Sequence, residues 1–224
     1  MTSNEVCDKL RELILREEVL PNERLVESLY AERFGTNRNV VRRALAMLEH
    51  EGLVVIERNK GAHVRRITGK EAIEITEVRS VLETLLIRHA AERANEEDKV
   101  ALRESLRIAQ DTLAQGSAIE VGAAARRVRE QLWRISGHET GRQVMLTLNS
   151  QLIRIWFHAI LQPGRPGQIL ADIDRVVSAV VANRPPEAIA AIHDYHAHSM
   201  AALMQALDRA NTHRPAMELA KLEG

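Results

Sequence analysis

Between Gly35 and Arg43 the chain reads Gly-Thr-Asn-Arg-Asn-Val-Val-Arg-Arg, three arginines and two asparagines in nine positions. These side chains suit an acidic surface rich in hydrogen-bonding groups. A guanidinium donates two parallel hydrogen bonds to O6 and N7 of guanine, and an asparagine amide pairs similarly with adenine. A solvated helix face is often equally charged, so a second observation is needed. The arginines have no acidic residue three or four positions away until Glu49, which excludes a ladder of intrahelical ion pairs. The charge is also segregated. Residues 33–66 hold eight Lys and Arg against three Glu, a net of +5, in a chain whose formal net charge is zero. That excludes a uniformly basic protein and leaves a local basic patch.

For these side chains to act together, one helix must carry them. Val41, Ala44, Leu45 and Leu48 fall at i, i+3, i+4 and i+7, which predicts a helix over about Arg38–His50 with that stripe inward. Arg38, Asn39, Arg42 and Arg43 then face outward near its start, where a recognition helix meets base edges. Amide groups and dipole at the same end favour a phosphate. Upstream, Val6, Leu10, Leu13 and Ile14 predict a helix over 4–17, broken at Pro21, and a second helix runs over roughly Val26–Phe34 to a left-handed cap at Gly35. Downstream, Gly52 closes the third helix. "LVVIE" and "AHVRRI" read as two strands joined by Arg58-Asn59-Lys60-Gly61, a turn whose Asn and Gly tolerate positive φ. Helix, helix, turn, helix, hairpin is the winged helix-turn-helix order, assigned to residues 1–67 with a two-stranded wing. Arg58, Asn59, Lys60 and Gly61 form the wing tip, able to reach an adjacent groove, while Arg65 and Arg66 add phosphate contacts.

From Lys70 onward strand signals vanish. With 45% apolar, 28% charged and only 3% aromatic residues, the composition favours helices. Breaks at "NEED", "QGS", "SGHETG", "QPGRPG" and "NRPP" divide it into six, over about 70–94, 97–115, 117–136, 140–161, 167–183 and 185–210. Short connections predict an antiparallel all-α bundle over 70–212, with 213–224 a frayed tail or short extra helix. The fold class is therefore mainly α. The single cysteine, Cys7, excludes an internal disulfide and a multi-cysteine zinc cluster. No signal-like start and no apolar run approaching ~18 residues occurs, so no membrane association and a cytoplasmic location are expected. An HExxH, a nucleophile elbow, a P-loop and a dinucleotide glycine motif are all lacking, which argues against an enzyme.

The stretch "RLVESLYAERFGTNRNVVRRALAMLEHEGLVVIERNKGAHV" resembles the DNA-binding domain of GntR-superfamily bacterial transcription regulators. It shares their leucine-glutamate start, small-residue–Arg helix entry, V-R-x-A-L, L-x-x-x-G-L-[VI] and glycine wing, over residues 20–66. The resemblance places Arg38 and Arg42 on the family's two recognition-helix arginines and Asn37 and Asn39 on flanking polar positions. Asn39 and Arg43 depart from the commoner Thr and Glu, so a different operator preference is expected. "EVRSVLETLLIRHAAERAN", "ISGHETGRQV" and "SAVVANRPPEAIAAIHDYHAHSM" resemble, in order, segments of the FadR-type FCD effector module in its six-helix, VanR-like form. The resemblance implies a homodimeric regulator, a repressor by expectation, that binds double-stranded operator DNA and responds to a small molecule. The rivals are an architectural DNA-binding protein without an effector and a His-based metal-dependent enzyme.

Many such modules hold a divalent metal on an Asp and a His four residues apart plus two later His. The register of the resemblance puts these positions at Ala125, Arg129, Ile173 and Tyr195, so no metal or other cofactor is expected. A one-residue shift would bring Asp174 and His196, with His193 nearby, to ligand positions, and that alternative stays open. Arg129 would instead bring a permanent cation to the metal's place. It would anchor an anionic effector, by class a carboxylate, with Tyr195 and His196 as hydrogen-bond partners and Trp133 lining the pocket. Equally open is an Arg129 exposed on the Arg-rich "RRVRE" helix.

Overall fold

The structure, a computed structural model, describes the backbone of residues 1–16 and 18–220 and their side chains other than those of 153, 154 and 209–220. The chain divides into two compact units, Met1–Ala72 with Leu146–Arg154, and Ile73–Met145 with the residues from Ile155 onward.

The first unit begins with α1 (Ser3–Leu15). Its start is fixed by a reciprocal cap in which the Thr2 hydroxyl accepts from the Glu5 amide and the Glu5 carboxylate accepts from the Thr2 amide. Then come β1 (Arg24–Leu25), α2 (Glu27–Arg33), α3 (Arg38–His50), β2 (Val54–Glu57) and β3 (Gly61–Val64). Gly35 adopts φ 59° and ends α2, and the Asn37 side chain accepts from the Val40 amide at 3.1 Å to start α3. The expected two-stranded wing gains a third strand. β3 lies between β1 and β2, antiparallel to both, with Arg24 opposite His63 and Val55 also opposite His63 from the other side. At the hairpin tip Asn59 and Gly61 take φ 69° and 83°, the left-handed values the turn requires. Val6, Leu10, Ile14, Leu25, Val41, Leu45, Leu48 and Val64 close one core. Fully burying each such side chain contributes roughly 1.5–3 kcal/mol. Cys7 lies in that core, where burial, partly opposed by Arg11, pushes its thiol up to about 11 and leaves it unreactive.

The remaining described residues form six helices: α4 (Gly69–Arg93), α5 (Glu96–Gln115), α6 (Ala118–Ile135), α7 (Glu139–Ile160), α8 (Arg165–Val181) and α9 (Pro185–Ala220). Asn95 with Asp98 and Ser117 with Glu120 form capping boxes at the starts of α5 and α6. Within the second unit α5 packs on α6 and α8, and α8 on α6 and α9, around Ile87, Leu102, Val128, Leu132, Ile173, Val177, Val180 and Ile192. One expectation fails at the C-terminal end. α9 does not stop near residue 210 but continues to Ala220, through much of the stretch read as a tail. No glycine caps the helix earlier, and it runs through Pro215, the residue that marks an end there in the sequence. Residues 221–224 lie outside the described residues. Among the described residues no helix is long and apolar enough to cross a membrane.

Candidate functional site

Two constellations stand out, one in each unit. In the first, burying Val40, Val41, Ala44, Leu45 and Leu48 turns the opposite side of α3 to solvent. Asn37, Arg38, Asn39, Arg42 and Arg43 are all exposed there, as are Arg58, Asn59, Lys60 and Gly61 at the hairpin tip. Their local partners differ. Arg42 is held by Glu27 through Nε at 2.8 Å and Nη2 at 2.7 Å. Arg43 Nε donates to Ser3 Oγ at 3.1 Å, and Lys60 Nζ lies 2.6 Å from Glu57. Asn37 spends its side-chain oxygen on the helix cap, leaving its amide NH2 for a ligand. Arg65 is half-buried and donates to Glu71 at 2.8 Å, whereas Arg66 is exposed, so of these two only Arg66 is open for a phosphate.

Two residues at this surface escaped the sequence reading. Glu27 lies fifteen positions from Arg42 on another helix, a separation that local pattern does not register. Arg24 belongs to a two-residue strand, and a Cβ on Gly61 would sit 3.6 Å from its Nε and Nη2. The wing therefore carries one more cation than the hairpin sequence suggested.

In the second unit α6 presents Arg129 and Trp133 inward, one turn apart, and α9 presents Tyr195 and His196. The structure brings these four together around a fifth residue, Glu83 of α4, which is fully buried. Arg129 grips its carboxylate with Nε at 2.8 Å and Nη2 at 2.5 Å, and Trp133 Nε1 donates to Oε1 at 2.8 Å. Arg129 Nη1 donates to the Tyr195 hydroxyl at 2.7 Å. Burial opposes the charge on Glu83, but the Coulombic pull of Arg129 prevails and holds the carboxyl far below its usual range. This corrects the reading of Arg129 as a free anchor. Neither exposed nor unpaired, its cation is cancelled by Glu83.

The surroundings are unbalanced all the same. Arg79 lies one turn before Glu83 and is also buried. It stacks on the Trp156 ring at 5.6 Å, and its Nε is buried without a hydrogen bond. Burial and then repulsion from Arg129 push Arg79 down to about 10, against the attraction of Glu83. Arg165, buried at the start of α8, donates to Gln168 and Ser199 but leaves its Nε unpartnered, and burial lowers it as well. His196 Nε2 lies 3.0 Å from Glu83 yet is poorly aligned, so neither ring nitrogen makes a well-formed hydrogen bond. Burial lowers its pKa, keeping the ring neutral.

Among the described residues, those at the candidate ligand positions do not make a metal inner sphere. Ala125 and Ile173 are buried apolar residues and supply no donor. Asp174 is half-buried beside Ser178, His193 is exposed, and His196 belongs to the Glu83 cluster. His198 is taken by Asp172 at 2.8 Å. Among the described residues no three His, Cys, Asp or Glu side chains converge as ligands.

Comparison with known families matches residues 2–64 to the model of bacterial regulatory proteins of the gntR family, and residues 74–199 to the FCD domain. The chain belongs to the GntR family, with an FCD domain. The Uxu operon transcriptional regulator of Escherichia coli is 33% identical over 128 residues, 50% of each chain. The HTH-type transcriptional regulator YdhC of Bacillus subtilis is 28% identical over 110 residues, 49% of each chain. The chain thus spans about half the length of these two relatives. The HTH-type regulator Rv0494 of Mycobacterium tuberculosis is 28% identical over 188 residues, 74% of each. Among solved structures, E. coli McbR/YncC superposes with a TM-score of 0.71 at 19% identity, covering 91% of this chain and 97% of that one. A GntR regulator from Rhodococcus sp. RHA1 gives 0.70 at 21%, covering 91% and 98%. These structures share the fold of this chain.

Proposed function

We propose that this GntR-family chain is an operator-binding transcription regulator whose grip on DNA is set by a small anion held in the helical bundle. The exposed α3 face, with Arg38 and Arg42 at its start and a basic hairpin beyond it, supports the reading side. A homodimer would place two such helices on the half-sites of a pseudo-palindromic operator. Repression is the proposed sign of control.

The observation that carries the effector side is the surplus of buried cation. Three guanidiniums, of Arg79, Arg129 and Arg165, lie inside the bundle, and only that of Arg129 meets a carboxylate among the described residues. Asp172, the other buried carboxylate, is taken by Arg175 and His198. Unpaired buried charge costs stability. An anion, by class a carboxylate or an inorganic oxyanion, would take the unpartnered Nε–H groups of Arg79 and Arg165. The roles foreseen for Arg129, Trp133, Tyr195 and His196 shift accordingly: with Glu83 they form the wall beside the anion. Such a ligand alters DNA affinity only through its difference in affinity between two arrangements of the protein.

Thermal unfolding with acetate, malonate, citrate, gluconate and phosphate, each against sodium chloride of equal ionic strength, tests this. At a hundredfold excess over Kd a bound anion stabilises by about 2.7 kcal/mol, a rise of roughly 5–10 °C. Arg79→Met and Arg165→Met should each abolish the rise. An anion response that both variants retain would refute the assignment, and so would the absence of any response beyond chloride.

A further inference from the structure

Glu27 opens α2, and its carboxylate spans the guanidinium of Arg42 on α3, with Nε to Oε1 at 2.8 Å and Nη2 to Oε2 at 2.7 Å. A planar guanidinium has two edges able to grip a pair of acceptors, one formed by Nε with Nη2 and the other by Nη1 with Nη2. Glu27 occupies the first. Among the described residues Nη1 makes no hydrogen bond, and Nη2 keeps its second hydrogen, so the outer edge is free. The Arg42 side chain is 63% exposed and that of Glu27 32%, so the carboxylate lies beneath and the guanidinium above. The pair does little for folding, since ion pairs this exposed contribute little.

We infer that Glu27 is a specificity-determining residue that buttresses Arg42, holding the guanidinium by its side edge so that its outer edge meets O6 and N7 of one guanine. This rests on α3 being the base-reading helix. Two physical consequences follow. An arginine already restrained in the free protein loses less rotamer freedom on docking, and its two donors arrive in one plane. A carboxylate near the phosphates also weakens sequence-independent attraction, which depends on neutralising backbone charge. Glu27 therefore gives up general affinity in exchange for discrimination. Its reach extends to the second reading arginine, because Arg38 also lies in its electrostatic field. Hydrogen bonds from Arg42, then its charge and that of Arg38, hold the Glu27 carboxyl below its ordinary value, so it stays ionised at neutral pH.

Selection of a randomised duplex library by the full-length protein supplies the test, read as relative enrichment at each position. The wild type should fix a guanine in each half-site. Glu27→Ala should lower preference for that guanine by roughly fivefold to a hundredfold, the span of one bidentate contact. Its affinity for bulk genomic DNA should stay the same or rise. Arg42→Ala should lose preference at the same position, and Glu27→Ala added to Arg42→Ala should cost nothing more there. Glu27→Gln, which keeps shape and one acceptor, provides a second variant and should fall between. An unchanged guanine preference in Glu27→Ala overturns the inference, as does a parallel loss of selected and bulk binding, which would mark a structural role. Failure of the wild type to enrich any motif overturns this inference together with the reading of α3. A wild-type motif whose guanine preference is unchanged in Glu27→Ala overturns the buttress alone.

Discussion

Replacing Glu83 by glutamine is the most exposing perturbation of the bundle, because it keeps the volume and removes only the charge. Glu83 has no exposed surface and the Arg129 side chain is 8% exposed, so solvent does not screen the pair. The glutamine amide would turn a donor toward the guanidinium or the indole, and the carboxylate that neutralises Arg129 would be gone. Stranding one partner of a buried pair typically costs about 3–5 kcal/mol. In a chain of this size each kcal/mol moves the midpoint by roughly 2–4 °C, so Tm should drop by about 6–20 °C. Far-ultraviolet circular dichroism during heating, supported by urea titration, measures it. The pH dependence has a defined direction. The folded carboxyl titrates far below its ordinary 4.5, so its stabilisation is complete above that value and is lost as pH falls toward the folded one. The gap between wild type and Glu83→Gln should therefore be constant above about pH 5 and narrow below it. Combining Glu83→Leu with Arg129→Met should recover most of the loss, because an apolar pair strands no charge. A Glu83→Gln protein melting within about 2 °C of wild type would refute the reasoning.

Two further outcomes are expected. Asn37→Ala removes the side-chain acceptor for the Val40 amide and should destabilise the first unit by roughly 0.5–2 kcal/mol, read by urea titration; Asn37→Ser should restore most of it. His196, whose pKa is lowered first by burial and then by Arg129 and Arg79 against the pull of Glu83, should make stability fall as pH drops below its ordinary 6.5. The unfolded chain takes up that proton and the folded one resists it, so His196→Gln should flatten the slope of stability between about pH 7 and 5, and an unchanged slope would contradict the burial argument.

What the sequence made legible was local. α3 could be placed because Val41, Ala44, Leu45 and Leu48 repeat at helical spacing between an asparagine cap and a glycine stop. The bundle helices were legible from the breakers between them, while the end of α9 was not, since the helix runs through Pro215, which reads as a breaker in the sequence. β1 had no signal of its own. Two residues become a strand only by pairing with β3, a contact across more than thirty positions. Glu83 was invisible for a related reason, being one glutamate among several on α4 until α6 and α9 converge on it. The register of the family resemblance carried Arg129, Trp133, Tyr195 and His196 to one place, but no periodicity announces the carboxylate that neutralises Arg129. Long-range ion pairs of this kind, Glu27 with Arg42 included, are properties of the fold.

The central claim is that the exposed start of α3 reads bases. Selection of a randomised duplex library by the wild type and by the Arg38→Ala, Arg42→Ala double variant tests it most directly. The wild type should return a two-fold symmetric motif with guanines fixed in each half-site, and the double variant should return none while still binding bulk DNA weakly. The same motif selected by both proteins would contradict the account.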